Sequence, residues 1–431
     1  MIQTRRTDRF YGWRVVGAAF VLAVFGWGMG FYGPAIFLHV VRATTGWSLG
    51  LVSTAVTAHF LVGAVMVANL PALYRRFGLP AVTKAGAISL AVGVFGWAIA
   101  VSPWQLFVAT LFSGAGWAAT GAAAINAIVS PWFVRTRPAA LAMAYNGASM
   151  GGVLFSPFWV GAIGLLGFPL AAATAGLVVA LTIWFLADRV FSRTPQQMGL
   201  APDGDGPATG ADAVAPSCAQ RLPSVSLWRD VRFLTLSVGM ALGLFAQIGL
   251  MTHLFSLLVP ALGNQGAGWA MAAATASAIV GRTLVGWLMP ADCDRRLVAC
   301  ASYAVQITGS IALSLAGGSA ILWLIVGVVL FGAGIGNATS LPPLIAQVEF
   351  VEAEVARAVS LIVAIAQAAY AFAPAVFGLI RECAAADAVG GAATAVFVTA
   401  ALVQSLAIGA FLLGRRSTSR RFDMELGRSA G

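Results

Sequence analysis

One arginine sets the chemistry to be explained. In the stretch Ala276-Ser277-Ala278-Ile279-Val280-Gly281-Arg282-Thr283-Leu284-Val285-Gly286-Trp287-Leu288, Arg282 stands inside an apolar run that reads as part of a membrane-spanning helix. No other Lys, Arg, Asp or Glu sits comparably deep in such a run. A charge at that depth costs about 2.5–3.5 kcal/mol on insertion scales, so it faces a polar cavity or a partner and marks function. A guanidinium keeps its charge and offers a planar fork of donors that matches a carboxylate. The expected chemistry is reversible binding of an organic anion. The plain alternative is a snorkelling side chain, but Arg282 lies about seven residues, roughly 10 Å, from the end of its segment, long for an arginine stem to reach water.

Uncharged polar residues in other apolar segments are the next candidates. His253 lies mid-segment near Gln247 and Gly249. A neutral imidazole there donates to a carboxylate or titrates with transport; the competing reading is a core histidine bonded to a neighbouring helix. His59 is a weaker candidate and His39 reads as interfacial. Asn126, Tyr145, Asn146, Asn337, Gln367 and Tyr370 must each find a partner in another helix or line a cavity. Tyr32 sits beside Gly30, Gly33 and Pro34, which loosen its segment. Gln247, Tyr32 and these residues join Arg282 and His253 as the expected substrate-binding set. No Ser/His/Asp or Cys/His arrangement lies on one aqueous face, and no strand–loop–helix context exists for a phosphate loop. The four cysteines are scattered without metal or disulfide spacing. No enzyme, metal site or cofactor is expected.

The elements that must hold these residues are helices in a bilayer. Of 431 residues 60% are hydrophobic and only 9% charged, against roughly 25% charged in a soluble protein. Apolar windows of about 20 residues recur along nearly the whole chain, continuous rather than alternating, which argues against a β-barrel. Twelve segments are placed, at approximately 13–40, 49–72, 81–101, 104–130, 139–164, 168–189, 231–259, 267–289, 297–316, 320–347, 356–380 and 391–414. The first is too long for a cleaved signal peptide and is read as a retained helix. Trp13, Trp104, Trp132, Trp228 and Trp323 fall at segment ends, where an indole suits the interface.

The net charge of +10 is a topology signal rather than a nucleic-acid footprint. With the N-terminus in the cytoplasm, 22 of the 25 basic residues fall on the cytoplasmic side, Arg42 and Arg381 fall opposite, and Arg282 is left inside. Both termini are therefore expected in the cytoplasm. The stretch from Phe191 to Trp228 is polar, Gly/Pro-rich and aperiodic, a flexible linker. It divides the chain into an N-terminal six-helix bundle (1–190), a cytoplasmic linker (191–229) and a C-terminal six-helix bundle (230–431).

The halves are weakly alike at one offset. Gly114-Ala115-Gly116 recurs as Gly332-Ala333-Gly334, and Val62-Gly63 as Val280-Gly281, each 218 positions later. Such a parallel repeat puts a substrate site near the midplane between halves. At that offset Arg282 corresponds to Ala64, so the charge is asymmetric. The glycines of segments 4 and 5 (Gly114, Gly116, Gly121; Gly147, Gly151, Gly152) are expected to permit close helix packing.

Several motifs carry a family resemblance: Tyr11-Gly12-Trp13-Arg14-Val15-Val16, Trp132-Phe133, Arg137-Pro138-Ala139-Ala140 through Asn146-Gly147, Thr252-His253-Leu254, and Gly281-Arg282 with Gly286-Trp287-Leu288. The chain resembles the major facilitator superfamily over almost its whole length, and within it the monocarboxylate-porter family related to the oxalate:formate exchanger. The resemblance implies an all-α membrane fold of two pseudo-symmetric six-helix bundles. It also implies a carboxylate-binding role for Arg282. The superfamily's loop 2–3 signature is degenerate: Arg75 stands where an aspartate is usual. Loop 8–9 keeps Asp292 and Asp294 beside Arg295 and Arg296. Segment 11 lacks the basic residue of the oxalate exchanger type, and Ala278 stands where animal relatives carry an aspartate implicated in proton coupling.

The expectation is a monomeric, multi-pass secondary transporter of the cell inner membrane that works by alternating access. Its partners are the lipid bilayer, a small organic anion (a monocarboxylate) and a proton if transport is coupled, and not nucleic acid. An anion exchanger, an efflux pump for apolar or drug-like compounds, and a membrane sensor without flux stay open as alternatives.

Overall fold

A computed structural model describes residues 10–204, 227–290, 293–317, 319–385 and 391–429. Those residues are helical in outline, with no β-strand among them. In chain order the helices are α1 (Tyr11–Gly30), α2 (Gly33–Thr45), α3 (Leu49–Phe77), α4 (Leu79–Ile99), α5 (Pro103–Thr120), α6 (Ala122–Val129), α7 (Arg137–Leu166), α8 (Phe168–Leu186), α9 (Val231–Leu288), α10 (Arg295–Leu315), α11 (Ile321–Glu349), α12 (Glu352–Ala371), α13 (Ala373–Ala385) and α14 (Gly391–Ser429).

Eleven helical runs among the described residues are long and apolar enough to cross a bilayer. The segments expected at 231–259 and 267–289 both fall within α9, a single run of 58 residues. At about 1.5 Å per residue such a run would be about 87 Å long, nearly three bilayer cores. It does not continue straight. Gly263 takes φ 66° and ψ 173°, a backbone region open essentially only to glycine, and Pro260 withholds a donor just before it. Other expected segments are also broken in place. The first divides at Phe31 and Tyr32 between α1 and α2, beside the glycines that loosen it. The fourth divides at Gly121, and the eleventh between Ala371 and Ala373, ahead of Pro374.

The chain forms two compact units, one within Met1–Phe37 and Val62–Leu222, the other within Leu38–Leu61 and Pro223–Gly431. In the first unit small residues bring backbones together. A Cβ on Gly116 of α5 would meet the Gly86 carbonyl of α4 at 2.7 Å, and one on Gly151 of α7 would meet the Val24 carbonyl of α1 at 2.6 Å. In the second unit a Cβ on Gly334 of α11, 218 positions after Gly116, would meet the Ser302 carbonyl of α10 at 2.6 Å. Gly63 packs on α5 and Gly281, again 218 later, packs on α11 at Ala333. Residues paired by the sequence offset thus make equivalent helix contacts in each unit. Close backbone approach of this kind drives helix association where the hydrophobic effect cannot.

The first part of α3, up to Leu61, is packed with the second unit. Gly50 N–H donates to Glu382 Oε2 at 3.2 Å, Ala375 N–H donates to Thr57 Oγ1 at 3.0 Å, and Phe60 meets Tyr370 edge to face with centroids 5.9 Å apart.

Two expectations are corrected. Trp132 is 2% exposed, so its indole is covered by protein rather than presented to a membrane–water boundary. It packs on Phe10 and Tyr11 with centroids 6.2 and 5.2 Å away, because the short helix at the end of α6 turns its indole under the start of α1. The linker reading also fails for its first residues, which are docked on the first unit. Asp203 has φ 60°, and its carboxylate accepts from the N–H groups of Val134, Arg135 and Thr136 at 3.0, 2.8 and 3.1 Å. The Thr136 hydroxyl donates to it as well, at 2.5 Å. Burial pushes the Asp203 carboxyl up, but these donors outweigh it and hold the group well below the usual carboxylate range. Residues 205–226, including Cys218, lie outside the described residues.

Candidate anion-binding site

Arg282 reaches its position through the contact of α9 with α11. Ala278 and Gly281 on α9 face Gly336 and Ala333 on α11, small residues that let the two backbones approach closely. The arginine stem lies along α11, and its Nε–H donates to the carbonyl of Gly336 at 3.0 Å. The same oxygen accepts from the Ser340 hydroxyl at 3.1 Å. Arg282 is half-buried. The next residue on α11, Asn337, is 3% exposed. A carbonyl that fixes Nε sets the plane of the guanidinium and therefore the direction of its fork.

His253 is fully buried, and its ring Nε2 lies 3.0 Å from the carbonyl of Pro374 on α13. A carbonyl only accepts, so Nε2 carries the proton and Nδ1 presents a lone pair. That Nδ1 has no hydrogen-bond partner among the described residues. Gln247, earlier on α9 and 4% exposed, likewise leaves Oε1 without a donor. A buried polar atom left unpaired costs about 1–3 kcal/mol, and such atoms call for a functional explanation.

The remaining candidates divide by unit. Gln367 and Tyr370 stand three residues apart on α12, both half-buried, with Tyr370 against Phe60. In the first unit Tyr32, 7% exposed, occupies the break between α1 and α2 and packs edge-on against Phe31 with centroids 5.1 Å apart. Tyr145 on α7 donates its hydroxyl to the Ala122 carbonyl at 3.0 Å, and so spends it on a helix terminus. Asn126 accepts from Ser130 at 3.0 Å, and Asn126 and Asn146 are both exposed. The structure therefore brings Arg282 onto Gly336 of α11 and ties His253 to Pro374 of α13.

The sequence pattern of the Major Facilitator Superfamily matches residues 18–374. The chain belongs to that superfamily. Solved structures with the same fold include the nucleoside transporter NupG, at TM-score 0.71 and 13% identity over 94% of this chain and 98% of that one. A bacterial homolog of the human lysosomal transporter Spinster, in an inward-facing and occupied conformation, gives 0.66 and 16% over 95% and 98%. The D-xylose–proton symporter gives 0.70 and 14% over 92% and 96%. No curated protein sequence matches significantly. At these identities the likeness is one of fold. This superfamily member is a membrane transporter and not an enzyme.

Sequence reasoning placed Arg296 in a loop of this transporter and overlooked its partner. Arg296 is 2% exposed and meets Glu349 in a bidentate pair, Nε to Oε1 at 2.6 Å and a terminal nitrogen to Oε2 at 2.7 Å. Its remaining donors go to the Thr235 hydroxyl and to the carbonyls of Arg232 and Phe411. Asp294 caps α10 through the N–H of Arg296 and also accepts from Arg415 at 2.5 Å. The starts of α9 and α10, the end of α11 and the middle of α14 are thus pinned together. The acids kept in this loop were the signal. Glu349, a lone carboxylate closing an apolar helix, carried none that local sequence could disclose.

Proposed function

We propose that the protein is a secondary transporter that moves a small organic anion, a monocarboxylate, across the inner membrane by alternating access. The observation that carries this reading is Arg282: a guanidinium within an apolar helix, half-buried and aimed by the Gly336 carbonyl. A carboxylate docking on it forms charge-assisted hydrogen bonds, the strong kind, and offsets the cost of holding the cation in a low-dielectric site. One cation neutralises one carboxylate. A dianion would leave a charge unpaired, and beyond Arg357 near its start α12 offers Gln367 and Tyr370 rather than a second cation. Asn337 and Gln247 supply neutral polar contacts.

The topology belongs to the same proposal. Read as two spans joined at Gly263, α9 completes a twelve-span monomer of two six-helix halves, 1–190 and 230–431, with both termini in the cytoplasm. Cargo coupled to a proton would use the Nδ1 lone pair of His253, because Ala278 leaves no carboxylate one turn before Arg282. That same alanine favours anion exchange as the second reading.

The deciding experiment is a thermal-shift screen of the purified protein against mono- and dicarboxylates, repeated on Arg282→Ala, followed by uptake of any stabilising compound into proteoliposomes. Uptake of a stabilising monocarboxylate that Arg282→Ala abolishes supports the proposal. Equal uptake by the variant sinks it.

A further inference from the structure

A second cationic cluster stands on α2, α9 and α13, away from Arg282. On α13, Pro374, Gly378 and Arg381 follow at i, i+4 and i+7 and so share a face. That face meets α9: Pro374 at His253, and Arg381 at Ser256, whose hydroxyl accepts from the guanidinium at 2.5 Å and donates to the His253 carbonyl at 2.8 Å. Arg381 therefore turns inward, towards a residue that is 6% exposed, rather than out to lipid. His39 of α2 packs on Phe255, the neighbour of Ser256, with centroids 5.4 Å apart. Arg42 follows three residues after His39 on the same side of α2 and is exposed. The charges of Arg42 and Arg381 lie close enough to act on each other, and both act on His39.

Like charges so gathered are destabilising unless something neutralises them. No carboxylate among the described residues forms an ion pair with Arg381 or Arg42. The acid next in sequence, Glu382, is engaged elsewhere, since its Oε2 accepts from Gly50 N–H. We propose that Arg381, Arg42, His39 and Ser256 form a second binding site for a small carboxylate, distinct from Arg282. By the charge count of the loops it lies on the non-cytoplasmic side, where Arg42 and Arg381 are the two basic residues. Its role as a receiving site for cargo rests on the carboxylate reading given above; its affinity for an anion does not.

The test uses acetate as probe on the full-length Arg282→Ala protein in detergent and chloride-free HEPES buffer, with thermal stability as readout. A saturable acetate-dependent rise in Tm is expected to persist in Arg282→Ala. Its half-saturation should move up about tenfold when Arg381→Gln is added and several-fold when Arg42→Gln is added, with Arg381→Lys retaining most of the response. Arg42 is exposed, so Arg42→Gln keeps the test open if the Arg381 variant does not fold. An acetate response absent from Arg282→Ala, or unchanged by both added substitutions, overturns the site. A lipid arm separates free carboxylate from headgroup phosphate: the response should be equal in bicelles with and without phosphatidylglycerol, and its loss in phosphatidylglycerol would mark a lipid site instead. Should wild type and Arg282→Ala take up cargo equally, the transport proposal fails while this site still stands on the acetate titration.

Discussion

The Nε–H of Arg282 and the carbonyl of Gly336 are 3.0 Å apart, and Gly336 is the one residue type that permits it. A Cβ at position 336 would lie 3.1 Å from Arg282 Nε and 3.0 Å from its Cβ. That Cβ would also collide with the Ala278 carbonyl, so the place of the guanidinium is set by the close approach of α9 and α11.

Arg282→Ala should remove substrate uptake in proteoliposomes while the protein still inserts and elutes as a single species. Removing one charge-assisted pair in a dry site is worth about 3 kcal/mol, or roughly a hundredfold in affinity. Gly336→Ala should lower uptake without removing the charge, by displacing the guanidinium. Wild-type apparent affinity in Gly336→Ala would show that the carbonyl does not aim the fork.

His253→Gln should keep counterflow and lose accumulation driven by a pH gradient, if Nδ1 of His253 is the proton carrier. Unchanged accumulation would remove that role and leave His253 as the tie between α9 and Pro374. His253→Phe should then lower Tm, since it strips the Pro374 carbonyl of its ring donor at a cost of about 1–3 kcal/mol.

Glu349→Ala should be among the more damaging single substitutions outside the binding site. It leaves Arg296, 2% exposed, as an uncompensated buried charge, a loss of about 3–5 kcal/mol. The double variant Arg296→Met with Glu349→Leu should recover much of the melting temperature. A double variant no more stable than Glu349→Ala would contradict the account.

Asp203→Asn should loosen the stretch that follows α8. Its folded carboxyl is depressed below the ordinary carboxylate value, so its contribution is fully present above about pH 4 and fades as pH falls through the folded value. Trypsin cleavage after Arg193 should rise in Asp203→Asn at neutral pH, and in wild type pepsin nicking of the same stretch should rise only on acidification well below pH 4. Equal cleavage in both proteins at neutral pH would argue that the four donors to Asp203 do not hold this stretch.

The membrane class, the helical fold and the placing of Arg282 within an apolar helix were legible in the sequence because each is a local property. Continuous apolar runs leave the backbone no option but helix, and a charge within such a run stands out by itself. The 218-residue offset was legible as well, since Gly116 and Gly334, or Gly63 and Gly281, are small for the same packing reason in each unit. What escaped were pairings between residues far apart in the chain. Nothing near Arg296 announces Glu349, 53 positions on. Nothing near Ser256 announces Arg381, 125 positions on. Nor does a polar, aperiodic stretch disclose that Asp203 will fit three backbone N–H groups at the start of α7. Composition and period state which side chains must be buried and which are costly to bury. Only packing in three dimensions decides which distant donor meets which acceptor, because hydrogen-bond and ion-pair energies fall away within a few ångströms while the chain is free to bring any two segments together.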